Sequence, residues 1–135
     1  MLHEWTSDQL RHLADARELH ISAPRAGRMP RTWVPIWVVV VDDRVFVRTW
    51  YRRDTGWYGR AVASGQAWIR VAGDPVRAQV TVIGSRDSDA VDAAYRSKYG
   101  AAAASSMVTD EAAASTLLLT PASDPDTSGT VTLDP

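Results

Sequence analysis

Apolar residues recur along this chain at two spacings, and the switches between them mark the elements. Thr6 precedes Gln9 by three residues, the spacing of a capping box, and Asp8 suits the positive end of a helix dipole. Leu10, Leu13, Ala14 and Arg17 follow on one stripe, which predicts a short helix with one covered face. Leu19 to Ala23 alternates and meets Pro24, the pattern of a first strand, and Pro24 to Pro30 reads as a loop. Trp33 to Val41 is apolar on both faces. Trp33, Pro35, Trp37, Val39 and Val41 point one way, and Val34, Ile36, Val38 and Val40 the other. That is a strand covered on both sides or a strand of a barrel, and Pro35, which lacks a donor, places an edge or bulge near its start. Asp42-Asp43 predicts a two-residue hairpin turn, although glycine suits such a turn better. Arg44 to Trp50 then alternates, with Val45, Val47 and Thr49 on one face and Arg44, Phe46, Arg48 and Trp50 on the other.

In the second half, Trp57 to Ala63 predicts a short helix ended by Ser64-Gly65. Gln66 to Val71 and Val76 to Val82 form a hairpin about Gly73-Asp74, with Ala67, Ile69, Val71, Val76, Ala78, Val80 and Val82 inward. A helix capped by Asp87 or Ser88 runs to Tyr99 and stops at Gly100; Val91, Ala94, Tyr95 and Lys98 form its stripe. Residues 101–114 are alanine-rich and read as helix, or as loop followed by one helical turn. Ser115 to Thr120 predicts a closing strand stopped by Pro121. The expected architecture is α+β, a small antiparallel split β-barrel with peripheral helices spanning residues 1–121. Residues 122–135 hold little to bury and read as a flexible tail.

Composition narrows the function classes. The chain has 135 residues, which fits one domain, and no cysteine, which removes disulfides, thiol nucleophiles and thiolate metal sites. The longest apolar run is nine residues, too short to cross a bilayer as a helix, and no basic-then-apolar leader opens the sequence. A cytoplasmic protein is the expectation, without membrane attachment. A net charge of −1 argues against a nucleic-acid partner. His3, His12 and His20 do not fall at ligand spacing, so no metal site is expected.

Charge is nonetheless uneven. Residues 31–60 carry six of the fourteen arginines and four of the six tryptophans, against three aspartates. Arginine offers planar, bidentate donors to phosphate or carboxylate, and Trp and Tyr stack on ring systems. Arg48, Thr49, Arg52, Arg53 and Arg60 therefore form the candidate anion site, and Trp50, Tyr51, Trp57 and Tyr58 the candidate substrate surface. Pairing of these arginines with Asp42, Asp43 and Asp54 on a solvated loop is the competing reading. Tyr95, Lys98 and Tyr99 share one side of the long helix; they read as packing on the barrel, with acid–base chemistry as the alternative.

Three stretches carry a family resemblance: Trp37-Val38-Val39-Val40 to Val45-Phe46-Val47-Arg48-Thr49-Trp50 with Trp57-Tyr58-Gly59-Arg60-Ala61; Val91-Asp92-Ala93-Ala94-Tyr95-Arg96-Ser97-Lys98-Tyr99-Gly100; and Ser115-Thr116-Leu117-Leu118-Leu119-Thr120-Pro121. They resemble an uncharacterised bacterial family related to the flavin-binding split barrels, the fold of pyridoxamine-phosphate oxidases and deazaflavin-dependent nitroreductases. The resemblance covers about residues 5–121. It implies a six-stranded split barrel, a homodimer, and an FMN or deazaflavin cofactor in the cleft between subunits. It also implies that Arg31, Arg48 and Thr49, with Arg52, Arg53 and Arg60, hold the cofactor phosphate. The Ser-x-Lys phosphate signature of the oxidases and the Gly-Arg-Lys-Ser-Gly stretch of the nitroreductases are absent. The leading expectation is a small-molecule oxidoreductase using such a cofactor. The alternatives are a cofactor-free isomerase or cyclase of secondary metabolism using the same cleft, and a non-catalytic small-molecule binding protein.

Overall fold

Twelve short elements, seven of them strands, make up the computed structural model, which describes residues 4–24, 29, 32–49 and 56–122. In chain order they are α1 (Ser7–Asp15), β1 (Leu19–Ser22), β2 (Val34–Ile36), β3 (Val38–Val41), β4 (Arg44–Val47), α2 (Gly56–Ser64), β5 (Gln66–Val71), β6 (Asp74–Val82), α3 (Ser88–Tyr99), a 3-10 helix (Ala103–Met107), α4 (Asp110–Ala114) and β7 (Leu117–Pro121). All strand pairs are antiparallel, in the order β2-β1-β5-β6-β7-β4-β3.

That order explains the barrel. The outermost strands, β2 and β3, are consecutive pieces of the one apolar run, separated only by Trp37. Before Trp37 the run pairs with β1, Pro35 facing His20; after it the run pairs with β4, Val38 facing Val47. A single length of chain thus belongs to both edges of the sheet and draws it into a nearly closed barrel. The expected single strand over 33–41 is therefore two, because the strand changes partner midway; counted as one run it leaves the six strands of the split barrel. Pro35 is tolerated because β2 lies at an edge.

Alternation sorts the side chains into two clusters. Val38, Val45, Val47, Ile69, Ala78, Leu117 and Leu119 fill the barrel interior, joined by Trp5 and Leu13 from the N-terminal segment and by Tyr58 and Ala61 of α2. The opposite face of β3 and β4 carries Val39 and Phe46, which pack beneath α3 and the 3-10 helix on Val91, Tyr95, Tyr99, Ala104 and Met107. Each fully buried aliphatic or aromatic side chain contributes about 1.5–3 kcal/mol, so both layers stabilise the sheet.

The turns and caps follow the local chemistry. Asp42 and Asp43 take φ of 50° and 63°, left-handed backbone that Asp tolerates better than most residues. At the β5–β6 turn the left-handed pair is Ala72 and Gly73, one residue earlier than Gly73-Asp74. Thr6 and Gln9 form the capping box of α1. Gly100, at φ 91°, ends α3. Asp87 precedes α3 without a side-chain capping bond. Several boundaries differ from expectation: β1 ends at Ser22, β6 begins at Asp74, Arg44 to Trp50 is strand from Arg44 to Val47, and the last strand begins at Leu117, because Ser115 caps α4 and Thr116 bridges the two. The tail expected over 122–135 falls, from residue 123 on, outside the described residues. No described helix is long and apolar enough to cross a membrane.

Candidate functional site

The candidate site begins where β4 ends. Arg48 follows Phe46 on the outer face of the sheet, so its side chain runs under α3 rather than out into solvent. It is 1% exposed. Its Nε donates to Thr116 Oγ1 at 2.8 Å, and its Nη1 donates to Asp92 Oδ1 at 2.5 Å and to the Met107 carbonyl at 2.7 Å. One guanidinium therefore ties β4 to α3, to the 3-10 helix and to the α4–β7 junction. Its carbon lies 5.5 Å from the centre of the Tyr95 ring. Nη2 has no partner among the described residues.

Thr49 comes next, and Ser115 holds it. Ser115 Oγ accepts from the Thr49 amide at 3.0 Å and lies 2.9 Å from the Thr49 carbonyl and 2.6 Å from the Ala112 carbonyl, which share its single proton. The Ser115 carbonyl in turn accepts from the Tyr58 hydroxyl at 2.9 Å. Wholly buried, Ser115 fastens both ends of the segment between residues 49 and 58. Trp57 is half-buried and meets Tyr58 edge to face, with ring centres 5.5 Å apart. Tyr58 is buried in the barrel interior. Arg60 is exposed and donates Nε to the Ala23 carbonyl at 2.5 Å.

These positions sort the sequence-predicted site. Thr49 and Tyr58 meet at Ser115, Trp57 and Arg60 lie on α2 with Tyr58, and Arg48 lies apart beneath α3 on Thr116, Asp92 and Met107. Arg31, Trp50, Tyr51, Arg52 and Arg53 lie outside the described residues. Sequence reasoning missed Ser115, Thr116 and Asp92. The signal was present, as a hydroxyl pair abutting the apolar run Leu117 to Leu119, but it reads equally as the start of that strand. The pairing of arginines with Asp42, Asp43 or Asp54 does not describe Arg48, whose anion is Asp92 on α3.

Fit to a cofactor phosphate can be judged at Arg48. A phosphate holder needs donors open to the ligand, and Arg48 is enclosed, with its charge met by Asp92 and most of its donors used. Arg48 does not fit that role here, and of the described candidates only Arg60 presents an exposed guanidinium.

A second cluster surrounds the end of α3. Trp37 stacks on Tyr99 with centroids 4.0 Å apart and rings 3° from parallel. The Tyr99 hydroxyl accepts from the Val38 amide at 3.2 Å and lies 3.0 Å from the Arg17 carbonyl, to which it donates. Burial pushes the Tyr99 hydroxyl above its usual pKa, against smaller opposing effects of the Val38 amide and Arg17. Tyr95, buried in the outer layer, is raised further, chiefly by desolvation. Both tyrosines pack on the barrel. A groove of about 360 Å³ lined by His12, Glu18, His20 and Arg70 contains none of the described residues of the 48–60 segment. Among the described residues no group of three or more His, Cys, Asp or Glu is placed to hold a metal ion.

The model of a bacterial family described as an uncharacterized protein conserved in bacteria, DUF2255, matches residues 9–119. The chain belongs to DUF2255. The matched span runs from α1 to β7, so it takes in every element of the barrel and both ends of the basic aromatic segment. No curated protein matches the sequence. Among solved structures, a NimC/NimA family protein from Clostridium acetobutylicum is similar, with a TM-score of 0.53 and 12% identity over 83% of this chain and 78% of that one. At that identity the likeness concerns the fold alone, and it places this DUF2255 chain among the split barrels.

Proposed function

We propose that the protein is a small-molecule enzyme of the split-barrel class whose ligand, flat and anionic, lies against the 49–60 segment. The observation that carries this reading is the double fastening by Ser115. A surface loop rich in arginine and aromatic residues needs no such anchoring at both ends, whereas a ligand-positioning segment does. In this reading Arg60, with Arg31, Arg52 and Arg53, meets the anion. Trp57, with Trp50 and Tyr51, meets the flat face, while Thr49 and Tyr58 set the segment's position. Arg48 supports the site from behind.

A flavin-type cofactor, FMN or a deazaflavin in a homodimer cleft, is the first ligand to test, and when bound it would supply the hydride chemistry of an oxidoreductase. The second reading, a cofactor-free isomerase or cyclase, is favoured by the internal neutralisation of Arg48 by Asp92, which leaves the phosphate-holding role to other arginines. The absorbance spectrum of the purified protein, followed by titration with FMN and with a deazaflavin, separates the two. Micromolar binding of either supports the cofactor reading, and a colourless protein that binds neither removes it. In the first case Arg60→Ala weakens binding about tenfold or more, since a charge-assisted hydrogen bond is worth about 1.5–3 kcal/mol.

A further inference from the structure

The groove of about 360 Å³ lies between α1, the start of β1 and the β5–β6 turn. Its volume falls at the small end of the range for ligand pockets, about 300–1,000 Å³. Leu13, Leu19 and Val71, all buried, give it an apolar lining. Four exposed ionisable side chains complete it: His12 from the last turn of α1, Glu18, His20 from β1 and Arg70 from β5. The register sets two of them side by side. Ile21 faces Ile69 and Ser22 faces Trp68, so His20 and Arg70 are opposed on the outer face of the sheet.

Neither permanent charge of the groove is met. The Arg70 guanidinium lies 4.4 Å from the centre of the Trp33 ring, which orients it and leaves its N–H donors without an acceptor among the described residues. Glu18 has no ion pair or hydrogen bond among the described residues, because its neighbour Arg17 lies over the Tyr99 ring, 5.1 Å from its centre. Arg70 and Glu18 thus line one groove with opposite charges that do not reach each other. A solvated face also leaves charges unpaired, but it has no apolar recess between them.

We infer that this groove binds a small zwitterion of the amino-acid class, with its carboxylate on Arg70 and its ammonium on Glu18. A simple carboxylate satisfies Arg70 and is repelled by Glu18; a simple amine does the reverse. A ligand with both charges meets both. Arg70 offers the planar pair of donors that a carboxylate takes in bidentate fashion. Glu18 offers two acceptor oxygens to the three N–H donors of the ammonium. The imidazoles of His12 and His20 can each donate or accept, and His20, opposite Arg70, stands beside the ligand carboxylate. Leu13, Leu19 and Val71 meet the ligand's apolar carbons. This site is separate from the 49–60 segment and does not depend on the function proposed for it.

The common free L-amino acids, each at about 10 mM, are screened against the full-length protein by thermal shift, since a ligand of the folded state raises Tm. The expected result is that at least one raises Tm and binds in calorimetry with a Kd of about 1 mM or below. Its deaminated analogue, a carboxylate alone, and its decarboxylated analogue, an amine alone, each bind about tenfold more weakly, the worth of one charge-assisted bond. Arg70→Gln and Glu18→Gln each weaken binding of the amino acid by about the same factor. If Arg70→Gln lowers Tm through its Trp33 contact, Glu18→Gln, which has no such contact to lose, carries the test. The ring-proton resonances of His12 and His20 shift on addition of the amino acid. No binding by any amino acid at about 10 mM overturns the inference. So does an affinity that Glu18→Gln leaves unchanged, an analogue lacking one charge that binds as tightly, or binding that leaves the His12 and His20 resonances in place.

Discussion

Arg48 and Arg60 stand twelve residues apart in the same basic stretch, and the structure gives them opposite duties. Arg48 is enclosed and neutralised by Asp92; Arg60 is exposed. Arg48→Ala leaves Asp92 without its cation and the Met107 carbonyl without its donor. Removing one partner of such a pair costs about 3–5 kcal/mol, toward the low end here because Asp92 keeps some contact with water. Arg60→Ala costs less, about 1 kcal/mol, for the one part-buried bond of its Nε to the Ala23 carbonyl. Urea denaturation of the two variants checks the contrast, and equal midpoints would sink it. The sequence placed Arg48 correctly on the face shared with Phe46, because alternation is local. It could not reveal that a helix forty-four residues later covers that face, so a core arginine looked like a site arginine. Tyr99 carries the same lesson. Its helical stripe predicted packing, but the stack on Trp37 and the bond to the Val38 amide arise only in the folded barrel.

Among the elements, the join between β4 and α2 is held at its β4 end by the Ser115 hydroxyl and at its α2 end by the Ser115 carbonyl. Ser115→Ala removes one hydrogen bond from the Thr49 amide and one from its carbonyl, each worth about 0.5–1.5 kcal/mol. The loss falls on the segment rather than on the whole barrel. Limited trypsin digestion should therefore cut after Arg52 or Arg53 faster in Ser115→Ala than in the parent, while β5–β6 peptides stay protected. Equal cutting rates would show that Ser115 does not hold the segment. The β5–β6 turn offers the reverse case. Ala72 sits at φ 54°, where a residue with a Cβ and no compensating polar side chain is strained. Ala72→Gly should raise stability by about 1 kcal/mol, less the entropy glycine adds to the unfolded chain. Strand hairpins, the capping box and the Gly100 stop were legible because turn and cap chemistry is written in neighbouring residues. The break at Trp37 was not, because hydrophobic period does not change where a strand exchanges one partner for another. The α4 turn was ambiguous because five residues cannot express a helical period.

For the whole molecule, the titrations of α3 give stability a specific alkaline shape. Lys98 loses its proton near pH 8 when folded but near 10.5 when unfolded. Between those values the unfolded chain binds more protons, so stability rises with pH. Tyr95 and Tyr99 shift the other way, since burial holds their protons beyond the ordinary value of 10.0. Above pH 10 the unfolded tyrosines ionise while the folded ones do not, so the folded state binds more protons and stability falls. The expected profile climbs from pH 8, peaks near pH 10 and then drops. Thermal unfolding between pH 7 and 11 tests it. Lys98→Met should flatten the climb and keep the drop. Tyr95→Phe should soften the drop and keep the climb. A parent profile that is flat from pH 8 to 10, or one that Lys98→Met leaves unchanged, would mean that the amine titrates in the folded protein as it does in water. The bonds of the Lys98 Nζ to the Val38 and Leu13 carbonyls would then stabilise the ammonium by as much as burial and Arg17 disfavour it.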